Sequence, residues 1–269
     1  MLDGTCRATR LLSERLASDI IECDDLLVIK LFSSSVSKEL VEEEVRLTNL
    51  ARSCGIRTPR IFEMVSDSDR WGFSYQKLNG PTFLDLMLQE GRDMDDLARS
   101  LAQVHRELHE HSEAGMPALK DRLRRSIEEC TGRDELRKRA LESLSGLPDG
   151  DRVCHGDFHP GNIIVTGEGN FILDWIDASS GHYLADVAKS LVLILAWLPD
   201  QLRRMGSEVS SGEIERFYRS YRSHAFISTP ENEELVDRWM LPVAVARLCQ
   251  AVPGEEDRLL EIIRGCSGE

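Results

Sequence analysis

A chain of 269 residues with 41% hydrophobic and 30% charged side chains is long enough for a sizeable core, in one globular unit or two lobes sharing a cleft. Its formal net charge of −14 argues against a nucleic-acid groove as the main function. That charge suits either a cationic small substrate or an acidic surface that keeps the protein in solution.

The seven cysteines stand singly with no CxxC pair, which reads as reduced thiols and excludes a disulfide framework or zinc knuckle. The first ten residues lack the apolar stretch of a signal peptide. The longest apolar run, "LVLILAWL" at 191–198, falls short of the ~18 residues a membrane span needs. The expectation is a cytoplasmic protein with no membrane partner.

The first 80 residues read as strand-rich. "SDIIEC" (18–23) and "LLVIKLF" (26–32) are apolar runs separated by Asp24-Asp25, a hairpin turn signal. "VSKELVEEEVRLTNLARSCG" (36–55) follows as a helix with Ser37 as N-cap; Leu40, Leu47, Leu50 and Cys54 form its stripe and Gly55 ends it. "RIFEMV" (60–65) and "WGFSYQKL" (71–78) flank a polar loop and form a second antiparallel pair.

After Gly80-Pro81 the pattern turns helical: a short segment, an acid-led helix over 93–112, then two amphipathic helices near 118–130 and 133–146. "IIV" (163–165) and "FILDW" (171–175) read as a tight hairpin, and residues from 184 onward as helices, with 184–198 buried. The organisation is a small strand-rich lobe with one long helix over 1–79 and a larger helical lobe over 80–269 that carries a β-hairpin.

The segment richest in reactive side chains is "HGDFHPGN", 155–162. His155, Asp157 and His159 alternate as three metal ligands would, but the other histidine pair, His105 and His109, lacks the glutamate offset of a zinc protease. Partly exposed histidines beside a packing face explain that pair better, and zinc hydrolysis stays a weak alternative. No G-x-S-x-G elbow supports a serine nucleophile, and Cys154 reads as a small buried residue.

Phosphoryl transfer fits the spacing in several places at once. His155, Asp157 and Asn162 fall on the kinase pattern H-x-D-x-x-x-x-N. The chemistry needs an aspartate that accepts a hydrogen bond from the attacking hydroxyl and an amide oxygen for Mg²⁺. A second carboxylate on the next strand must grip the metal, and Asp174 stands there. Lys30 lies on a strand from which it can reach nucleotide phosphates, and Glu42, Glu43 and Glu44 on the next helix can hold it.

"CHGDFHPGNIIV", "FILDWIDA" and "LADVA", with "VIKLF" and "GIRTPRIFE" before them, resemble the aminoglycoside phosphotransferase/choline kinase-like family over residues 12 to 200. The resemblance implies an α+β, bilobal protein-kinase-like fold with a small antiparallel-sheet N-lobe bearing one helix, and a mostly helical C-lobe. It implies ATP- or GTP-dependent transfer to a small-molecule hydroxyl, with Asp157 as catalytic base and Asn162 and Asp174 as Mg²⁺ ligands. Lys30 would contact the phosphates, with Glu43 as partner and Glu44 as the alternative. Gln76 and Leu78 would meet the base through their backbone, and Asp186 either braces the catalytic loop or serves as a helix N-terminal carboxylate.

The nucleotide-covering loop departs from the family's glycine-rich form, with Ser13 and Arg15 in "SERLASDI" and Ser18 left as a hydrogen-bond donor. Tyr75 borders the base pocket, where its bulk would favour GTP, or else fills core. His155, His159, Asp177 and Trp175 read as scaffolding, and "ENEEL" (231–235) as a solvated helix start. The acceptor expected first is an aminoglycoside, a reading that carries antibiotic resistance with it. Choline, an amino sugar, homoserine or another antibiotic remain alternatives, as does a non-catalytic nucleotide-binding module.

Overall fold

The structure, a computed structural model, describes residues 10–14, 18–250, 252 and 254–266. In chain order the elements begin with β1 (Arg10–Glu14), β2 (Ser18–Glu22), β3 (Leu27–Phe32), α1 (Lys38–Ser53), β4 (Ile61–Asp67) and β5 (Arg70–Gln76). Helices α2 (Phe83–Met87), α3 (Met94–Leu108), α4 (Leu119–Glu128) and α5 (Asp134–Ser145) follow. Next come β6 (Arg152–Cys154), a 3₁₀ turn (Pro160–Asn162), β7 (Ile163–Thr166), β8 (Gly169–Ile172) and β9 (Ser179–Gly181). The rest is α6 (Tyr183–Ala196), α7 (Leu198–Arg204), α8 (Ser211–His224), α9 (Pro230–Cys249) and α10 (Glu256–Gly265).

The chain forms two compact units: one runs to Pro81 and adds Ile163–Ile176, the other comprises Thr82–Asn162 and continues from Asp177. The first unit is built on an antiparallel sheet in the order β1-β2-β3-β5-β4. Asp24 closes the expected β2–β3 hairpin, its Oδ1 accepting from the N–H groups of Leu26 and Leu27 at 2.7 and 2.8 Å. β3 is buried on both faces except at its first residue, as its unbroken apolar run requires. Lys30 is the one charged residue in that run. β1 was not foreseen from the sequence.

Ser37 caps α1 as expected, but the buried stripe of that helix is Val41, Glu44, Leu47, Thr48 and Ala51. Leu40, assigned to the stripe from sequence, is 53% exposed. Leu47 belongs to both faces, but Val41, Thr48 and Ala51 are buried where Leu40 and Leu50 were expected, so the true face is rotated by one residue. The β7–β8 hairpin, assigned from sequence to the larger lobe, is held in the first unit. Val165 donates its N–H to Pro81 O at 2.8 Å, and Ile172 donates to Arg57 O at 2.9 Å.

The second unit is a helical assembly with one short sheet, β6 paired antiparallel to β9. Its core holds Phe158, Phe217, Tyr221 and Trp239, each no more than 1% exposed. α6 is buried on most sides, as its apolar run predicts. The "ENEEL" segment starts α9, where Glu233 pairs with Arg222 at 2.8 Å. No helix among the described residues is long and apolar enough to cross a membrane.

The cysteines are not all reduced. Cys130 after α4 and Cys249 at the end of α9 form a disulfide with Cα atoms 4.9 Å apart, across a separation of 119 residues. Spacing rules detect local frameworks, whereas this pair is created by the packing of α4 on α9. Closing so long a loop restricts the unfolded chain, an effect of typically about 2–4 kcal/mol. Cys249→Ser is therefore expected to lower the unfolding free energy by about that amount, read as a fall in the urea midpoint at unchanged slope. Intact-mass measurement before and after reduction checks that the bond was present.

Candidate active site

In the first unit, Lys30 reaches from β3 to two carboxylates, Glu44 Oε1 at 2.6 Å and Asp174 Oδ1 at 2.5 Å. The lysine is 7% exposed. Burial pushes its pKa down, but the charges of Asp174 and Glu44 outweigh burial and hold it above the ordinary lysine value. A permanent cation is thereby fixed on the central strand, with a further contact to the Phe32 ring, 4.9 Å from its centroid.

The partner is Glu44 and not Glu43. Glu43 lies outward on α1, where both its oxygens accept from Arg46 at 2.7 Å. The one-residue rotation of the buried face accounts for the correction, because only a residue on that face can meet a buried lysine.

Asp174 stands two residues beyond the end of β8 and adopts φ +62°. A non-glycine residue in this left-handed region stores strain of about 1–3 kcal/mol, a cost most often met at functional positions. Trp175, fully buried, anchors the bend by donating its indole N–H to Thr58 Oγ1 and Ile172 O, both at 3.1 Å.

Ser18 opens β2, buried opposite Phe32. Gln76 ends β5 with its N–H on Arg60 O, and Lys77 donates to Leu26 O, both at 2.8 Å, just ahead of Leu78. Tyr75 packs its ring against Phe73, with centroids 5.9 Å apart. Arg15 lies outside the described residues, and Ser13 is placed on β1.

In the second unit, β6 leads into the loop 155–162. Asp186, from the first turn of α6, accepts the N–H of His155 on Oδ2 at 2.7 Å and that of Gly156 on Oδ1 at 2.8 Å. Gly156 has φ +79°, and a Cβ there would come 2.3 Å from Asp177 O. Only glycine allows this turn. The Asp157 N–H then donates to His155 Nδ1 at 3.1 Å, so His155 is scaffolding, as the sequence implies.

Asn162 folds back from the 3₁₀ turn and donates its amide to Asp157 O and Oδ2, at 3.0 and 3.1 Å. Its Oδ1 is buried and meets no donor. An acceptor oxygen with its capacity unused is the donor type that a hard divalent cation takes. The carboxylate of Asp174, in the first unit, is of the same oxygen-donor type, so each residue by itself has the chemistry Mg²⁺ takes.

Burial alone would raise the Asp157 carboxyl. The charge and hydrogen bond of His159, with Arg247 and Lys189 behind them, reverse this and hold it well below the usual carboxylate range. His159 Nε2 lies 3.4 Å from Asp157 Oδ2, while its Nδ1 accepts from Gly161 N–H at 3.1 Å.

Behind the loop lies a network that the sequence reading missed. His105 is fully buried and His109 is 7% exposed, where partly exposed rings were expected. His105 Nε2 meets Asp186 Oδ2 at 2.9 Å, His109 Nε2 meets the same oxygen at 3.2 Å, and Tyr221 Oη lies 2.5 Å from His105 Nδ1. With Nε2–H donating to the carboxylate and the tyrosine hydroxyl donating to Nδ1, neutral His105 satisfies every partner. Burial, then the nearby His109, lowers its pKa to about 3. These three residues have ligand atoms close enough for a metal, but Asp186 is already committed to four donors, which identifies the cluster as a brace. Its sequence signal was the i,i+4 histidine pair together with "LADVA".

A profile of the phosphotransferase enzyme family (APH) matches residues 20–223. The chain belongs to this family. Sequence comparison with curated proteins returns no match. Among solved structures, a thermostable mutant of aminoglycoside phosphotransferase APH(4)-Ia in ternary complex with AMP-PNP and hygromycin B aligns at TM-score 0.66. That alignment has 15% identity and covers 100% of this chain and 97% of that one.

A choline/ethanolamine kinase family protein from Mesorhizobium loti aligns at TM-score 0.61, with 15% identity, over 100% of this chain and 90% of that one. Aminoglycoside-3'-phosphotransferase of type VIII gives 0.57 at 18% identity, over 89% and 94%. Identities this low establish the fold: the α+β kinase-like architecture, with an antiparallel sheet and helix followed by a helical part with small hairpins.

Two outcomes are expected of this family member's buried groups. Glu44→Gln should destabilise the chain by about 3 kcal/mol, because it removes a buried charge partner. Glu43→Gln, on a surface pair, should cost under about 1 kcal/mol; urea unfolding compares the two.

His105, with its pKa depressed from 6.5 to about 3, gives stability that is complete above pH 6.5. That stability is lost as pH falls toward 3, because the unfolded state takes up the proton first. Thermal midpoints should fall across this window, and His105→Gln, which cannot titrate, should flatten that part of the curve.

Proposed function

We propose that the protein is a Mg²⁺-dependent small-molecule O-phosphotransferase that moves the γ-phosphoryl group of ATP or GTP to a hydroxyl. The observation that carries this reading is the Asp157–Asn162 pair. The amide N–H₂ holds the ionised carboxylate, and the amide Oδ1 is left as an orphaned buried acceptor. Family membership supports assigning Lys30 and Asp174 to the same reaction.

Asn162 and Asp174 would hold Mg²⁺, which when bound neutralises charge on the phosphates. Lys30 would take phosphate oxygens, with Glu44 keeping its ammonium on axis. Asp157 accepts the hydrogen bond of the acceptor hydroxyl and aims its oxygen at the γ-phosphorus. Its first contribution is orientation of that hydroxyl. As the oxygen–phosphorus bond forms, the bond to the β–γ bridging oxygen breaks and the nucleoside diphosphate leaves with that electron pair. The hydroxyl proton then passes to Asp157.

Ser18 and the backbone of Gln76 and Leu78 are the proposed remaining nucleotide contacts, and Tyr75 favours GTP by its bulk. An aminoglycoside heads the acceptor panel, since structural relatives bind hygromycin B and streptomycin and the net charge is −14. Choline, amino sugars and homoserine complete the panel.

The test is NDP release with ATP and with GTP across that panel. Turnover stimulated by at least one acceptor, abolished by EDTA and lowered by Asp157→Asn about 10²–10⁴-fold, is the expected result. An Asp157→Asn protein with unchanged turnover would defeat the reading. Tighter binding of ATP than GTP would remove the role given to Tyr75.

A further inference from the structure

The second unit holds a cavity of about 120 Å³ against the catalytic loop, with Gly156, the residue before Asp157, in its wall. α4, α6 and α9 bring Arg122, Lys189 and Arg247 to it, and Arg125 stands among its lining residues too. The side chains of Arg122, Lys189 and Arg247 are only 27%, 16% and 11% exposed. Three cations from three helices thus converge on one small space, partly out of water.

Four cations, counting Arg125, line the cavity against two carboxylates, Asp177 and Asp186; Glu255 and Asp157 act on Arg247 from outside the lining, and Asp157 on Lys189 as well. Asp186 lines the cavity, but its oxygens are committed to the loop and the two histidines. Asp177 is shared, 3.9 Å from Arg122 and 3.5 Å from Lys189. Arg247 is fixed by Glu255 through two bonds of 2.7 Å. The lining by itself is therefore basic, four cations to two carboxylates, opposite to the net charge of −14 on the whole chain. A polycation entering here would meet like charge, whereas arginine forks and a lysine suit an oxyanion.

Size points the same way. A cavity of about 150 Å³ receives a benzene molecule, so this one holds a single functional group of the acceptor. Its wall at Gly156 puts that group next to the residue that would meet the hydroxyl.

We propose that the acceptor carries a carboxylate or phosphate group, seated among Arg122, Lys189 and Arg247, with its reacting hydroxyl held toward Asp157. The proposal rests on the phosphotransferase reading above and narrows its acceptor from polycations to hydroxylated anions. Lys189 and Arg122 then select the substrate, and Asp177 between them sets their spacing.

The experiment uses matched compounds on the full chain: glycerate against glyceramide, glucose 6-phosphate against glucose, and kanamycin as the polycation. Binding is read by calorimetry and turnover by NDP release, with inorganic phosphate as a further binding probe. An anion is expected to exceed its neutral partner in kcat/KM by about tenfold or more, the worth of one charge-assisted hydrogen bond. Lys189→Gln should erase that preference through KM, and Lys189→Arg should keep it.

Preference for kanamycin or for the neutral partners overturns the proposal and leaves phosphoryl transfer standing. Lys189-dependent anion binding with no turnover of any compound supports the anion site and counts against phosphoryl transfer. If no anion binds, or binding is unchanged in Lys189→Gln, the proposal fails.

Discussion

The loop 155–162 depends on one buried carboxylate. Asp186 lies at the first turn of α6 with 1% exposure, and its two oxygens take the N–H groups of His155 and Gly156 and the rings of His105 and His109. An isolated buried carboxylate would be expensive, and four donors remove that expense. Burial would raise its pKa, yet the two histidines bring it well below the usual range. The loop backbone is thereby pinned at two consecutive residues. The left-handed turn at Gly156 sets the direction of Asp157, and Asn162 returns onto it from the 3₁₀ turn. The rest of that site follows from this clamp.

The first unit uses the same device with opposite sign. Lys30 is a buried cation on a central strand, and two carboxylates, one from α1 and one from the strained position after β8, make its burial tolerable. Buried charges of this kind add little net stability when paired and cost much when unpaired. Their arrangement is therefore better explained by what they hold ready than by what they stabilise. In both units the charged side chains extend from short, buried, hydrogen-bonded segments, which keeps their rotamers fixed.

Electrostatics separate the molecule's surface from its interior. The overall acidity is a property of exposed residues, screened over a few ångströms to a nanometre in salt. The cavity beside the loop is governed instead by three half-buried cations and the few carboxylates within reach. Desolvated charges act at short range with little screening. Net charge averages over the whole surface and so bears on a small buried cavity only indirectly.

The sequence by itself determined the kinase-like spacing of Asp157, Asn162, Asp174 and Lys30, the order of the longer strands and helices from β2 to α6, and the buried character of α6. Those features are local: residue spacing, turn chemistry at Asp24 and apolar periodicity leave direct traces in the chain. Only the tertiary structure decided that Glu44 and not Glu43 meets Lys30, since a helix rotated by one residue still looks amphipathic. Tertiary packing alone also joined Cys130 to Cys249, buried His105 behind Asp186, and gathered Arg122, Lys189 and Arg247 from three helices around one cavity. Each of these contacts links residues far apart in the chain, and no local pattern encodes which distant side chain will fill the space opposite.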